Sequence, residues 1–216
     1  MKVSKTHQRI LETAELMFSE HGFEQTSLRQ ITSEAGVNLA SVNYHFGSKK
    51  ALIQSVMERY QSVFMPALDT ELNKLLASGT PLTTESILTC VVQPLARTTE
   101  VRKNGPAVYL RLLGYAYSEI QGHLRVYTIT RFGDVVHKLF AAIQQANPGV
   151  SPGTLFWRLH FSLGAALFAQ VSGQALAEIA EADFDEKISA EQVVLKLIPF
   201  IAAGISAGDP EFDKFT

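Results

Sequence analysis

The sequence predicts an all-α protein in two units, three short helices followed by a larger helical body. Two observations carry this. Apolar residues recur at three- and four-residue spacing along most of the 216 residues, and no stretch sustains the alternation of a half-buried strand. Glycine and proline clusters then cut the chain into segments of helical length.

Each element follows from its own residues. From about Lys5 to His21, Ile10, Ala14, Met17 and Phe18 share one face, and Gly22 sits where a helix ends. "TSLRQITSEAG" opens with Ser27 and Gln30 in capping-box relation and closes at Gly36. Asn38 caps a short helix from Leu39 to Phe46, and Gly47 stops it. Ser48 caps the next helix, which runs to about Leu76 with Pro66 as a candidate kink. Breaks at "KNGP", Gly122, "NPGVSPG" and "EADFDEKIS" leave five more helices, about Glu85–Thr98, Pro106–Gln121, His123–Ala146, Ser151–Ile179 and Ala190–Ala207. The count is about nine, divided as residues 1–48 and 49–216.

Composition narrows the class. The chain is 46% hydrophobic with net charge −2, which excludes a generally basic nucleic-acid protein but not a small basic face on a neutral body. A single cysteine, Cys90 in "ILTCVV", excludes an intramolecular disulfide framework and reads as a small buried hydrophobe. The first residues lack the uncharged core of a signal peptide, and no uninterrupted apolar run reaches the ~20 residues of a membrane span. The expectation is a soluble, cytoplasmic protein with no membrane partner and no cofactor.

The N-terminal unit has a helix-turn-helix pattern, with two short helices joined by "AGVN". Leu28, Ile31 and Ala35, then Val37, Val42 and Phe46, supply its apolar side, leaving Ser41, Asn43, Tyr44 and His45 to point outward. Hydroxyl, amide, phenol and imidazole groups all bond phosphates, and Ser and Asn also read base edges. No carboxylate occurs between Glu34 and Glu58, and Lys49 and Lys50 begin a helix at the end of its dipole that disfavours cations. A DNA phosphate would offset that cost; the alternative is a solvated lysine pair.

The stretch "ILETAELMFSEHGFEQTSLRQITSEAGVNLASVNYHFGSKKAL" resembles the TetR family of bacterial transcriptional regulators over about the first 52 residues. The resemblance implies a helix-turn-helix DNA-binding domain, a C-terminal ligand-binding and dimerisation domain, and a homodimer on a double-stranded DNA operator. It implies phosphate contacts from Thr26, Ser27, Ser41, His45 and Lys49, base contacts from Leu39 and Ala40, and capping by Asn38. Where Asn43 stands the family usually has an aromatic residue, and where Lys50 stands, an acid. Asn43 is therefore a candidate for base reading and Lys50 for a phosphate, with Tyr44 beside them. "AGVNLASVNYHFGSKKALIQSV", "RLLGYAYSEIQGHLR" and "FWRLHFSLGAALF" are similar to the fatty-acid-responsive PsrA-type regulators. That similarity implies a repressor of fatty-acid metabolism genes, released by a long-chain fatty acid or acyl-CoA.

The larger body has more apolar and aromatic residues than a bundle core needs, and some can line a ligand cavity. Arg111 is the only charge in "GPAVYLRLLGYAY"; it snorkels, pairs with an acid such as Glu119, or anchors an anionic head group. Tyr115 and His160 complete the candidate ligand set, although a satisfied interface histidine is the commoner reading of His160. His123, beside Gly122, reads as structural. "FSLGAALFA" and "FIAAGISAG" place small residues where helices can approach closely, and the resemblance puts both in a dimer interface.

An enzyme is the first rival, but no catalytic or nucleotide-binding motif occurs and the six histidines are scattered. An architectural DNA binder would not need so large an apolar body. The serious alternative is a TetR-type repressor for a different amphipathic or aromatic ligand, for example one controlling efflux.

Overall fold

The computed structural model describes residues 4–118 and 122–209, and the described chain is entirely helical with turns. The helices are α1 (Lys5–His21), α2 (Leu28–Glu34), α3 (Leu39–Phe46), α4 (Lys49–Ala77), α5 (Thr84–Arg97), α6 (Gly105–Ser118), α7 (Gly122–Ala146), α8 (Pro152–Phe184) and α9 (Ala190–Ser206). A 3₁₀ turn, Thr98–Glu100, precedes α6. The predicted caps form. Ser27 and Gln30 exchange both bonds of the capping box, and Asn38 caps α3. Ser189 and Gln192 make a second box at α9. α8 outlasts its predicted end at Ile179, closing at Asp185 in the left-handed conformation.

The chain clusters into two compact units that cut across the division expected at residue 48. One comprises Met1–Met65 and Ala96–Gly133, the other Pro66–Leu95 and Asp134–Thr216. Two of the three divisions fall at Pro66, inside α4, and just after Phe132, whose φ of −129° and ψ of 19° interrupt α7; the third follows Leu95 in α5. Proline lacks the donor an uninterrupted helix uses, so local contacts change neighbours there at least cost.

In the first unit, Ile10, Ala14 and Phe18 of α1 are fully buried with Phe23, Ile31, Val42, Leu52, Val56 and Tyr60. Tyr60 stacks on Tyr109 of α6, ring centroids 5.4 Å apart. Glu15 is completely buried among them. Its Oε2 accepts a bond from Arg59 at 2.5 Å. Arg102 Nε stands 2.7 Å from Oε1, an ion pair whose N–H is not aligned for a hydrogen bond. Burial, then the Glu15 charge, pushes the Tyr60 phenol well above its ordinary value. Gly105 is obligatory, because a Cβ there would meet the Thr98 carbonyl oxygen at 2.0 Å.

The second unit is leaner. Leu72, Ile87 and Ile143 are fully buried, and α8 and α9 meet through Ala169, Ala177 and Val193. Asn147 Nδ2 donates to Thr84 Oγ1 and to the Ile143 carbonyl, both at 2.8 Å. Arg158 donates to the carbonyls of Ile205, Ala207 and Gly208 at 2.5–2.9 Å, fastening α8 to the end of α9. Cys90, expected to be buried, is only partly so; its Sγ lies 3.8 Å from the Glu71 carbonyl. α8 is long and apolar enough to cross a membrane by length and composition, yet little of its apolar window is buried within the chain.

Candidate nucleic-acid interface

α2 and α3 meet at a turn that needs Gly36. It adopts φ +60°, and the Val37 amide returns to the Thr32 carbonyl at 3.0 Å. Arg9 braces the turn by donating to the Ala35 carbonyl at 2.5 Å. Asn38 Oδ1 then accepts from both the backbone and the hydroxyl of Ser41, at 2.9 Å each. The start of α3 is thereby fixed by Asn38 and the Ser41 hydroxyl, without using Leu39, Asn43 or Tyr44.

Only Val42 of α3 is buried. Tyr44 is 85% exposed and Leu39 39%; Ala40 and Asn43 are also exposed, and Ser41 and His45 half-buried. A tyrosine and a leucine left this open on an eight-residue helix do not serve the core. His45 contacts both Tyr44 and His7, whose ring stacks on Phe46 at 4.5 Å. Burial, then the nearby His45, lowers the His7 pKa. Ser27 is exposed at the head of α2, its hydroxyl already accepting from the Gln30 amide. Lys49 is half-buried and Lys50 exposed in the first turn of α4, which contains no acid.

Thr26 departs from the expected phosphate set. It is completely buried, and its hydroxyl donates to the Gly22 carbonyl at 2.8 Å, closing the loop between α1 and α2. Its side chain is structural.

Arg111 is exposed on α6, and the acid at 119 lies outside the described residues. An exposed guanidinium is a poor interior anchor. Tyr115 spends its hydroxyl on the Glu20 carbonyl at 3.4 Å and sets its ring against Phe23. His160 Nδ1 lies 2.6 Å from the Phe156 carbonyl, and its ring lies against Phe156. Arg111 and Tyr115 belong to the first compact unit and His160 to the second.

The first unit instead contains an open cleft of about 660 Å³ lined by Gln54 of α4 and by His123, Val126, Tyr127, Thr130 and Arg131 of α7. Arg131 pairs with Glu58 at 2.7 Å. His123 Nε2 is buried without a hydrogen-bond partner among the described residues. Burial, then the charge of Lys50, lowers the His123 pKa. A signal for these residues does exist in the sequence: Lys50, Gln54 and Glu58, like His123, Tyr127 and Arg131, recur every fourth residue. Two such rows make a cleft only when their helices are neighbours, which spacing alone does not reveal.

Residues 10–56 match the model of bacterial regulatory proteins of the tetR family, and residues 89–204, more than half the chain, match the tetracyclin repressor-like C-terminal domain. The chain belongs to the TetR family of transcriptional regulators. Its family is one of DNA-binding transcriptional regulators. The probable transcriptional regulator YttP of Bacillus subtilis is 32% identical over 80 residues, 37% of this chain and 38% of that one. UidR of Escherichia coli K12 is 38% identical over 52 residues, 24% of this chain and 26% of that one. The matched stretches thus span well under half of these relatives. Among solved structures, the TetR-family regulator PfmR of Thermus thermophilus has a TM-score of 0.52 at 21% identity, covering 91% of this chain and 98% of that one. The fatty acid degradation regulator FadR of Bacillus halodurans has a TM-score of 0.55 at 14% identity, covering 94% and 97%. The structural likeness shows a shared fold and, at these identities, nothing further.

Proposed function

We propose that this TetR-family regulator is a cytoplasmic repressor that holds a palindromic operator as a homodimer and leaves it when a long-chain fatty acid or acyl-CoA binds. The observation that carries the dimer is the uncovered apolar face of α8 and α9. Trp157, Phe161, Phe168 and Phe200 are each 60% exposed or more. A Cβ built on Gly164 or Gly204 meets nothing within 4 Å. Contiguous apolar faces of this kind on a folded chain mark an interface. One eight-residue recognition helix reads too few base pairs for useful specificity, so two copies related by a two-fold axis must read a palindrome.

In this reading Ser27, Ser41, Tyr44, His45 and Lys49 hold phosphates, Leu39, Ala40 and Asn43 face base edges, and Asn38 acts as a cap. The acyl effector is supported by the similarity of "RLLGYAYSEIQGHLR" and "FWRLHFSLGAALF" to fatty-acid-responsive regulators, and by a cleft within the roughly 300–1,000 Å³ usual for ligand sites. The Bacillus halodurans regulator shares the fold and, at 14% identity, lends no more than that.

The test is operator binding by fluorescence anisotropy, on a site selected from random DNA, across salt and with oleate or oleoyl-CoA. Affinity should fall log-linearly with salt, and Lys49→Ala should reduce the slope by about one per protomer. Asn43→Ala should erase about 1–3 kcal/mol of discrimination at one base pair; equal losses on all sequences would remove Asn43 from base reading. A hundredfold release by oleate corresponds to about 2.7 kcal/mol of coupling, and operator DNA must weaken oleate binding by the same factor. Indifference to every long-chain acyl compound would overturn the effector class.

A further inference from the structure

The cleft between α4 and α7 has a chemical asymmetry. At one end Arg131 is neutralised by Glu58, 2.7 Å away. Towards the other, the His123 imidazole presents a buried nitrogen with no hydrogen-bond partner among the described residues, and the Lys50 charge is close enough to perturb it. Among the described residues Lys50 has no ion-pair partner. Between these ends lie the amide of Gln54 and the walls of Val126, which is 63% exposed, and Tyr127. A buried nitrogen without a partner is costly to leave dry, and a cation beside it makes protonation a poor remedy. An anionic acceptor removes both penalties, because it takes the imidazole and amide N–H bonds and neutralises Lys50.

We infer that this cleft binds the carboxylate end of an amphipathic effector, with His123 and Gln54 donating to the carboxylate, Lys50 supplying the counter-charge, and Val126 and Tyr127 lying along the start of the alkyl chain. The inference rests on the acyl-effector reading above and moves its head-group site from Arg111 to α4 and α7. Lys50 stands in the first turn of the helix that leaves α3, only four residues after Phe46. Ligand binding at this point engages the same short segment that carries Lys49.

The experiment is equilibrium dialysis of radiolabelled oleate, below its micelle concentration, against the full chain. It is run on wild type, His123→Leu, Val126→Trp and Arg111→Leu, with oleyl alcohol as the uncharged competitor. Circular dichroism melts check that each variant folds; Val126 is exposed enough that the tryptophan fills the cleft without entering the core. The expected result is one oleate per chain, oleyl alcohol at least tenfold weaker, oleate weakened at least tenfold by His123→Leu and by Val126→Trp, and no change with Arg111→Leu. Oleate bound equally by all four proteins would overturn the cleft assignment while leaving an acyl effector in place. Oleyl alcohol bound as tightly as oleate would overturn the carboxylate role. No oleate bound by wild type would overturn the acyl-effector reading, and this inference with it.

Discussion

The two compact units solve the same problem differently. The first buries its large aromatics: Phe18, Phe23, Tyr60 and Tyr109 are all but fully buried, and its buried carboxylate, Glu15, is surrounded by Arg59, Arg102 and Tyr60. The second buries aliphatic residues, Leu72, Ile87 and Ile143 with Ala169, Ala177 and Val193, while leaving Trp157, Phe161, Phe168 and Phe200 open. Burial of large side chains is what stabilises a domain, at roughly 1.5–3 kcal/mol each. A unit that keeps its aromatics outside has placed that energy at a surface for another molecule to use. Self-sufficiency suits the unit that carries α3, because the base reading proposed for it needs a rigidly held helix; incompleteness suits a unit proposed to join copies.

The largest effect should come from breaking the interior of the self-sufficient unit. Glu15→Ala leaves two guanidinium groups without their acid. Loss of one partner of a buried pair costs about 3–5 kcal/mol. Arg59 and Arg102 keep 20% and 27% of their side-chain exposure, which places the expected loss near the lower end. Urea denaturation followed by circular dichroism measures it; a loss below about 1 kcal/mol would mean the network contributes little.

A smaller effect should follow in the other unit. Arg158→Met keeps the stem of the side chain but removes three charge-assisted bonds to the end of α9. The expected cost is about 1.5–3 kcal/mol. It should appear in hydrogen exchange as faster opening of α9, with α1–α3 protected as in wild type; unchanged exchange in α9 would show that the Arg158 bonds do not hold its end.

The smallest effect concerns pH. The His7 pKa is lowered, by burial first and then by His45, so the unfolded chain binds the proton more readily. This contribution to stability is fully present above the unfolded pKa, near 6.5, and is lost as pH falls from there through the lower folded pKa. Melting temperature should therefore drop less between about pH 7.5 and 5.5 in His7→Phe than in wild type. Identical drops would show that His7 does not titrate against folding.

Much of this was legible in the sequence, for reasons that can be named. Caps and breakers act locally, so Ser27 with Gln30, Asn38, Gly36 and Gly47 set α2 and α3 closely. The exposed face of α3 followed from helical period. Thr26 did not, because a threonine that closes a loop and one that faces phosphate look alike in one dimension. Arg111 misled for a similar reason: an apolar neighbourhood along the chain is not an apolar neighbourhood in space, and position 111 lies on the outer side of α6. The α4–α7 cleft was invisible because it depends on two helices far apart in the chain becoming neighbours.

The central claim is that the uncovered face of α8 and α9 joins two copies, and that only the pair holds DNA. Sedimentation equilibrium of wild type and of a Phe161→Glu/Phe168→Glu double variant, each with and without operator, tests it most directly. Both positions are more than 60% exposed in the single chain, so the monomer loses no core contact when they are changed. The account predicts a dimer for wild type, with two copies per palindrome, and a folded monomer without measurable operator affinity for the variant. A wild-type monomer, or a monomeric variant that binds the operator as tightly as wild type, would contradict it.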